Sequence, residues 1–335
     1  MSIASKEIRL ASRPHGEPTL DQFTFATVDL PEPQPGEVLV RNLLISVDPY
    51  MRGRMNDSKS YVPPFELGKA MQGSAIGRVL RSNDPAIAEG ALVSSMYGWR
   101  EAFVAPAKDL QVIDPKDAPI SAFLGTLGMT GLTAWGGLFK IAALQDGETV
   151  FISGGAGAVG SVACQLARLH GCKVIASAGS AEKIAFLRDE LNVDYAFDYQ
   201  DGDPLAHLEK AAPEGIDVYF DNTGGPQLEA ALSSLRMRGR VALCGAIAGY
   251  NHPVPGPRNL PLAIGKRLRL EGFIVIDFLK DLPAFHAEAI PALLSGKLLH
   301  SETIVEGIEQ APAAFLSLLG SGDKHIGKLL VRVGD

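Results

Sequence analysis

Two patterns of apolar and polar positions follow one another along the chain. Up to residue 125, apolar residues come in short runs between Pro, Gly and Asp clusters. The turn PEPQPG leads into EVLVRNLLISVDP, whose β-branched and leucine-rich run predicts a strand. Residues 74–81, 92–96 and 102–106 predict further strands, and helical spacing is scarce, so a small barrel-like β domain is expected. From Gly125 onward the pattern alternates. Strands are predicted over 149–153 and 173–177, with helices over 158–170 and 181–191. Residues 195–198, 218–221, 240–245 and 270–275 add four strands. That alternation predicts an α/β unit with a parallel sheet and helices on both faces. A helix over 284–295 and a last strand over 328–333, returning to the first domain, complete the expected outline.

Two stretches, 118–139 and 149–167, carry no charge and have the length of membrane spans. Glycines interrupt both (Gly125, Gly128 and Gly131; Gly154, Gly155, Gly157 and Gly160), so they read as buried segments, beside a ligand or in an ordinary core. The N-terminal residues include Lys6, Glu7 and Arg9 and lack an apolar leader core. The chain has 335 residues, room for two domains, and 46% are hydrophobic, enough to build cores. Its net charge of −7 argues against a nucleic-acid partner, which needs a basic surface. Cys164, Cys172 and Cys244 form no CxxC pair, so the reading is a reducing cytoplasm without a disulfide framework.

The chemistry concentrates in TVFISGGAGAVGSVACQLARLHGCKVIASAGS. Gly155, Gly157 and Gly160 form G-x-G-x-x-G between a predicted strand and a predicted helix. The first glycine allows a tight turn, the second lets backbone approach a pyrophosphate, and the third lets helix pack on strand. The helix start then offers free N–H groups and positive dipole to an anion. The alternative is a glycine-rich turn with no ligand. At the end of the second strand a site for unphosphorylated dinucleotide usually carries Asp or Glu for the ribose hydroxyl. Here VIASAGS has no acid between Val174 and Ser180. With Ser180 as helix cap, Lys183 takes the third helical position, where a cation is unfavourable unless a phosphate lies nearby. A solvated surface lysine is the competing reading.

The seven histidines and three cysteines show no zinc spacing except His170 beside Cys172, which packing explains better, so no metal is expected. No G-x-S-x-G elbow anchors a hydrolase triad.

Several blocks along the chain carry a resemblance. They are SVDPYMRGRM (46–55), PPFELG (63–68), GTLGMTGLTAW (125–135), GAGAVGSVACQLA (155–167), FDNTGG (220–225), GPRNL (256–260), LRLEGFIV (268–275) and GKLLVRV (327–333). In this order they resemble the zinc-independent medium-chain reductases related to leukotriene B4 12-hydroxydehydrogenase/prostaglandin reductase, including the bacterial branch of NADPH-dependent curcumin reductase. The resemblance implies a Rossmann doubly wound sheet (126–295) inserted in a GroES-like β-barrel substrate domain (1–125 and 296–335). It implies hydride transfer from NADPH to the β-carbon of an α,β-unsaturated ketone or aldehyde, and a homodimer.

The resemblance also implies cofactor contacts. Gly155, Gly157, Ala158, Val159 and Gly160 would meet the pyrophosphate, and Gly179, Lys183 and Tyr199 the 2′-phosphate end. Asn222, Cys244, Gly245, Ala246, Ile247, Tyr250, Phe273, Ile274 and Val275 would line the nicotinamide half. Where the family often has Asn before the final GK, this chain has His325, able to donate one hydrogen bond.

Reduction of an enone builds negative charge on the carbonyl oxygen and calls for a hydrogen-bond donor there. Tyr250 is the first candidate, as donor or as packing wall, and Tyr50 the second. Arg52 reads better as a structural contact between domains than as an anion guide. An NADPH:quinone reductase, a non-catalytic NADPH-binding protein and a zinc alcohol dehydrogenase are the other functions weighed, and fold does not choose among them.

Overall fold

The computed structural model describes residues 3–320 and 325–334. They divide into two compact units, Met1–Leu124 with Thr303–Gly320 and Leu329–Asp335, and Gly125–Glu302 with Ser321–Lys328.

In the first unit β1 (Ile3–Leu10) and β2 (Phe23–Leu30) form an antiparallel hairpin. The centre is β3 (Glu37–Ser46), buried along most of its length, as its run of Val, Leu and Ile predicts. One edge of β3 pairs with β4 (Ala75–Ser82), which continues to β5 (Leu92–Ser95). On the other edge β6 (Ala102–Pro106) takes Glu37–Arg41 only. The short β7 (Gln111–Ile113) closes against β5. All these pairings are antiparallel, the β domain the pattern predicts.

The second unit holds β8 (Thr149–Ile152), β9 (Lys173–Ala178), β10 (Tyr195–Asp198), β11 (Ile216–Asp221), β12 (Leu235–Leu243) and β13 (Arg269–Gly272). They lie in the order β10-β9-β8-β11-β12-β13, all parallel. This is the doubly wound order, in which strand sequence reverses between β8 and β11. Helices join the strands, among them Ala158–Leu169, Pro204–Ala211 and Gly225–Ser234. The sheet's core stacks Phe151 on Tyr219 at 4.8 Å between ring centroids.

The chain then returns to the first unit. There β14 (Glu302–Glu306) lies outside β15 (Lys328–Arg332), which pairs with the half of β3 that β6 leaves open, Leu44–Ser46. Helix Ala311–Leu319 brings Phe315 edge-on to Trp99 at 6.0 Å, while Phe23 stacks on the same indole at 6.1 Å. Trp99 is fully buried, so the chain end is part of this core rather than a tail laid on it.

Three boundaries differ from the pattern's expectation. The strand expected over 270–275 stops at Gly272, and a 3-10 helix runs over Val275–Asp281, with Asp277 Oδ2 accepting from Ile274 N–H at 3.3 Å. The strand expected over 240–245 is longer at its start and ends at Leu243, because Cys244 and Gly245 turn their N–H groups to the Asp221 carbonyl. The helix expected over 181–191 is α-helical for Ala181–Ala185 and widens to a π-turn over Phe186–Glu190. The two charge-free stretches break into short elements, and among the described residues no helix is long and apolar enough to cross a membrane.

Replacing Trp99 by Ala should cost about 3–5 kcal/mol of stability, the range for emptying a fully buried large aromatic. Urea unfolding checks this, and a loss below about 1 kcal/mol would mean the ring does not anchor this core.

Candidate dinucleotide site

The glycine run lies at the carboxyl end of β8, beside the carboxyl end of β11, where open α/β sheets bind ligands. The left-handed turn falls on Gly154 (φ +61°), one residue before the motif. Gly155, which the motif assigns to the turn, instead donates to Ser177 O at 2.8 Å, and a Cβ there would press on Ala176 at 2.8 Å. Gly160 lets the helix start sit on the Gly154 carbonyl, which any side chain at 160 would strike.

Gly157 is the N-cap of Ala158–Leu169 and offers no side-chain cap. Ser161 N–H is the first to reach back into the turn, donating to Gly157 O at 2.9 Å. The N–H groups of Ala158, Val159 and Gly160 make no hydrogen bond among the described residues. Three unclaimed donors at the positive end of a twelve-residue helix form an anion seat that fits a pyrophosphate. The returning chain flanks this loop: Gly327 N–H donates to Ala156 O at 2.9 Å, bridging parallel to Gly157. His325, half-buried, stands two residues before that bridge.

At the end of β9, Ser180 caps the next helix as its sequence position predicts, its hydroxyl accepting from Lys183 N–H at 3.3 Å. Lys183 is buried, with 9% of its surface exposed, so the solvated-lysine reading is set aside. The Tyr199 ring lies over Gly179, where a Cβ would come within 2.7 Å of the phenol oxygen. Gly179, Lys183 and Tyr199 thus share the rim of the sheet beside the glycine loop, where β9 itself ends without an acid.

At the other side of the crevice the carboxyl ends of β8, β11 and β12 are joined by polar groups. Asn222 Nδ2 donates to Ser153 O at 2.8 Å, and Asn222 N–H to Ser153 Oγ at 3.0 Å. Asp221 is buried; its Oδ1 accepts from Tyr219 O–H (2.7 Å), Thr223 N–H (2.9 Å) and Gly224 N–H (2.7 Å). Its main-chain oxygen accepts from Cys244 and Gly245 at 2.9 and 3.0 Å. Burial raises the Asp221 carboxyl above its usual range, against the opposing pull of Gly224 N–H and Tyr219. Burial, then the charge of Asp221, pushes the Cys244 thiol up to about 12, so it stays a thiol.

Tyr250 is half-buried, and its hydroxyl comes within 3.5 Å of a Cβ built on Gly245. Ala246 and Ile247 bridge these groups, and Ile247 N–H reaches Asn222 O at 3.4 Å. Phe273 departs from the expected lining: its ring sits in the core, edge-on to Phe220 at 6.1 Å, which leaves its backbone with Ile274 and Val275 at the end of β13. Ser153, Tyr219, Asp221 and Gly154 carry no role in the motif reading. The one sequence signal for the cluster is an acid ending the otherwise apolar strand VYFD.

Tyr50 belongs to the first unit. Among the described residues its buried hydroxyl has no well-formed hydrogen bond, and Arg54 lies close enough to interact with it. Burial and then Asp48 hold the phenol well above its usual range, Arg54 pulling the other way. Arg52 is buried in that same unit, bonded to Asn56 Oδ1 at 2.8 Å and Gly16 O at 2.7 Å. Among the described residues no three His, Cys, Asp or Glu side chains gather to hold a metal.

Comparison with known proteins agrees with this geometry. Residues 6–113 match the family described as N-terminal domain of oxidoreductase, and residues 158–290 the family described as zinc-binding dehydrogenase. The chain belongs to the medium-chain dehydrogenase/reductase family, within its zinc-independent group related to leukotriene B4 12-hydroxydehydrogenase/prostaglandin reductase. The 2-alkenal reductase (NADP(+)-dependent) of Nicotiana tabacum is 38% identical over 338 residues, covering 99% of this chain and 98% of its own. The NADPH-dependent curcumin reductase of Escherichia coli (strain K12) is 38% identical over 331 residues, covering 97% and 95%. CurA from Vibrio vulnificus, solved in complex with NADPH, superposes with a TM-score of 0.92 at 35% identity, covering 98% of this chain and 99% of that one.

If Lys183 meets a 2′-phosphate, Lys183→Ala should raise the KM for NADPH at least tenfold more than that for NADH, about the 1.4 kcal/mol or more of a charge-assisted contact. Steady-state kinetics with both coenzymes checks this, and equal effects would remove Lys183 from that role.

Proposed function

We propose that this chain catalyses the NADPH-dependent reduction of the C=C bond of α,β-unsaturated ketones and aldehydes. The observation that carries the reading is the dinucleotide seat: three unclaimed N–H groups at the helix start, with a buried lysine on a rim that lacks the usual acid. The alkenal and curcumin reductases among its relatives supply the substrate class. Gly155, Gly157, Ala158, Val159 and Gly160 hold the pyrophosphate, with His325 alongside. Gly179, Lys183 and Tyr199 hold the 2′-phosphate end. Asn222, the 244–247 run, Tyr250 and residues 273–275 hold the nicotinamide end.

NADPH, when bound, supplies the hydride that reaches the β-carbon. The chain positions the substrate and stabilises the charge that grows on the carbonyl oxygen. Tyr250 donates a hydrogen bond to that oxygen. Tyr50, whose phenol stays neutral, is the second donor. We place the protein in a reducing cytoplasm, in keeping with three free cysteines, and as a homodimer. The dimer reading is supported by the open edge of β13 and by exposed Ile264, Ile276 and Leu279 in the same unit.

Purified protein should oxidise NADPH with enones and enals and leave the carbonyl intact in the product. Turnover of quinones alone would replace this reading with a quinone reductase, and no turnover across a broad enone panel with an NADPH binder. Tyr250→Phe should lower kcat by roughly tenfold or more if its hydroxyl polarises the carbonyl. An unchanged kcat with intact NADPH binding would leave that side chain only a packing role.

A further inference from the structure

Asp221 is the buried acid that the proposed chemistry does not use. It has 1% of its surface exposed, and among the described residues no Lys, Arg or His pairs with it. Taking a carboxylate out of water without a cation is costly, so its retention calls for compensating donors. They converge on one oxygen: the Tyr219 phenol and the N–H groups of Thr223 and Gly224, with Ser153 Oγ at 3.4 Å. The Tyr219 phenol is held far above its normal range by burial and then by Asp221, so it remains a donor. Gly224 and Gly225 adopt left-handed φ of +70° and +57°, which brings the turn's N–H groups round to the acid.

Asp221 therefore shapes both loops of the nicotinamide end. Its side chain ties down the 222–224 turn, and its carbonyl holds the start of the 244–247 run. It also leaves a formal negative charge under that end with no cation to cancel it. The second loop starts directly on this residue, Cys244 and Gly245 donating to the Asp221 carbonyl at 2.9 and 3.0 Å.

A nicotinamide ring is neutral when reduced and carries a positive charge when oxidised. We propose that Asp221 is a positioning residue whose uncompensated charge favours the oxidised over the reduced coenzyme on this protein. It thereby makes bound NADPH a better hydride donor. This inference rests on the dinucleotide seat proposed above.

The test is a pair of equilibrium titrations, NADP+ and NADPH, on the intact protein and on Asp221→Asn, which keeps the shape and removes the charge. The variant should lose affinity for NADP+ by roughly tenfold more than for NADPH, the size of a unit-charge interaction across a partly screened interior. A binding titration with 2′,5′-ADP, which lacks the nicotinamide, should be unchanged, showing that the adenosine end is intact. Equal losses for NADP+ and NADPH would overturn the electrostatic role and leave only loop support. Failure of the unmodified protein to bind either coenzyme would instead overturn the dinucleotide seat itself. If Asp221→Asn does not fold, Tyr219→Phe serves: losing the phenol's hydrogen bond raises the Asp221 carboxyl further, so the preference for NADP+ over NADPH should fall more steeply in the variant than in the unmodified protein as pH is lowered. The same preference in both proteins at every pH would refute the proposal.

Discussion

The structure of the second unit depends on the reversal of strand order between β8 and β11. Helices leaving the two strands diverge there, and the crevice between them cannot be filled by either connection. Backbone groups at that place must be satisfied by something other than sheet or helix. On one side the glycine run leaves three N–H groups without a partner among the described residues. On the other, the donors of the 222–224 turn are absorbed by Asp221. The crevice thus has open N–H groups at the helix start on one side and a buried acid beneath the loops on the other.

Close packing makes this arrangement possible. Gly160 and Gly155 leave no room for side chains because helix, strand and turn are pressed together around them. Among the described residues Gly157 has only the Gly154 carbonyl near its missing Cβ, which leaves space there for a ligand. The returning segment adds support from an unexpected direction, since Gly327 pairs with the loop immediately before the chain re-enters the first unit at Leu329. One short segment thereby braces the dinucleotide loop and supplies a strand to β3.

The first unit solves a different problem. It is antiparallel and shares the two halves of one edge of β3 between β6 and β15, one from early in the chain and one from its end. The Trp99, Phe23 and Phe315 cluster locks the same closure in side chains. Tyr50 and Arg52 stand four and six residues after β3, and the Arg52 guanidinium bonds Asn56 and Gly16 of the same unit.

Much of this was legible in the amino-acid order. The alternation of apolar runs specified the parallel unit, because burial on both faces demands continuous apolar strands and a helix between each pair. The Gly155–Gly157–Gly160 spacing located the open helix start, and the missing acid before Ser180 pointed to a phosphorylated ribose. Other features depended on residues distant in sequence and were decided only by the fold. The turn fell on Gly154 because Gly155 was needed against β9. The burial of Lys183, the inward ring of Phe273 and the Gly16 and Asn56 partners of Arg52 were set by neighbours that no local pattern names. Asp221 acquired its role only when β8 and β12 came to lie beside β11. Local order determines which elements form and which backbone groups they leave open, whereas burial and charge balance are properties of the packed assembly of strands.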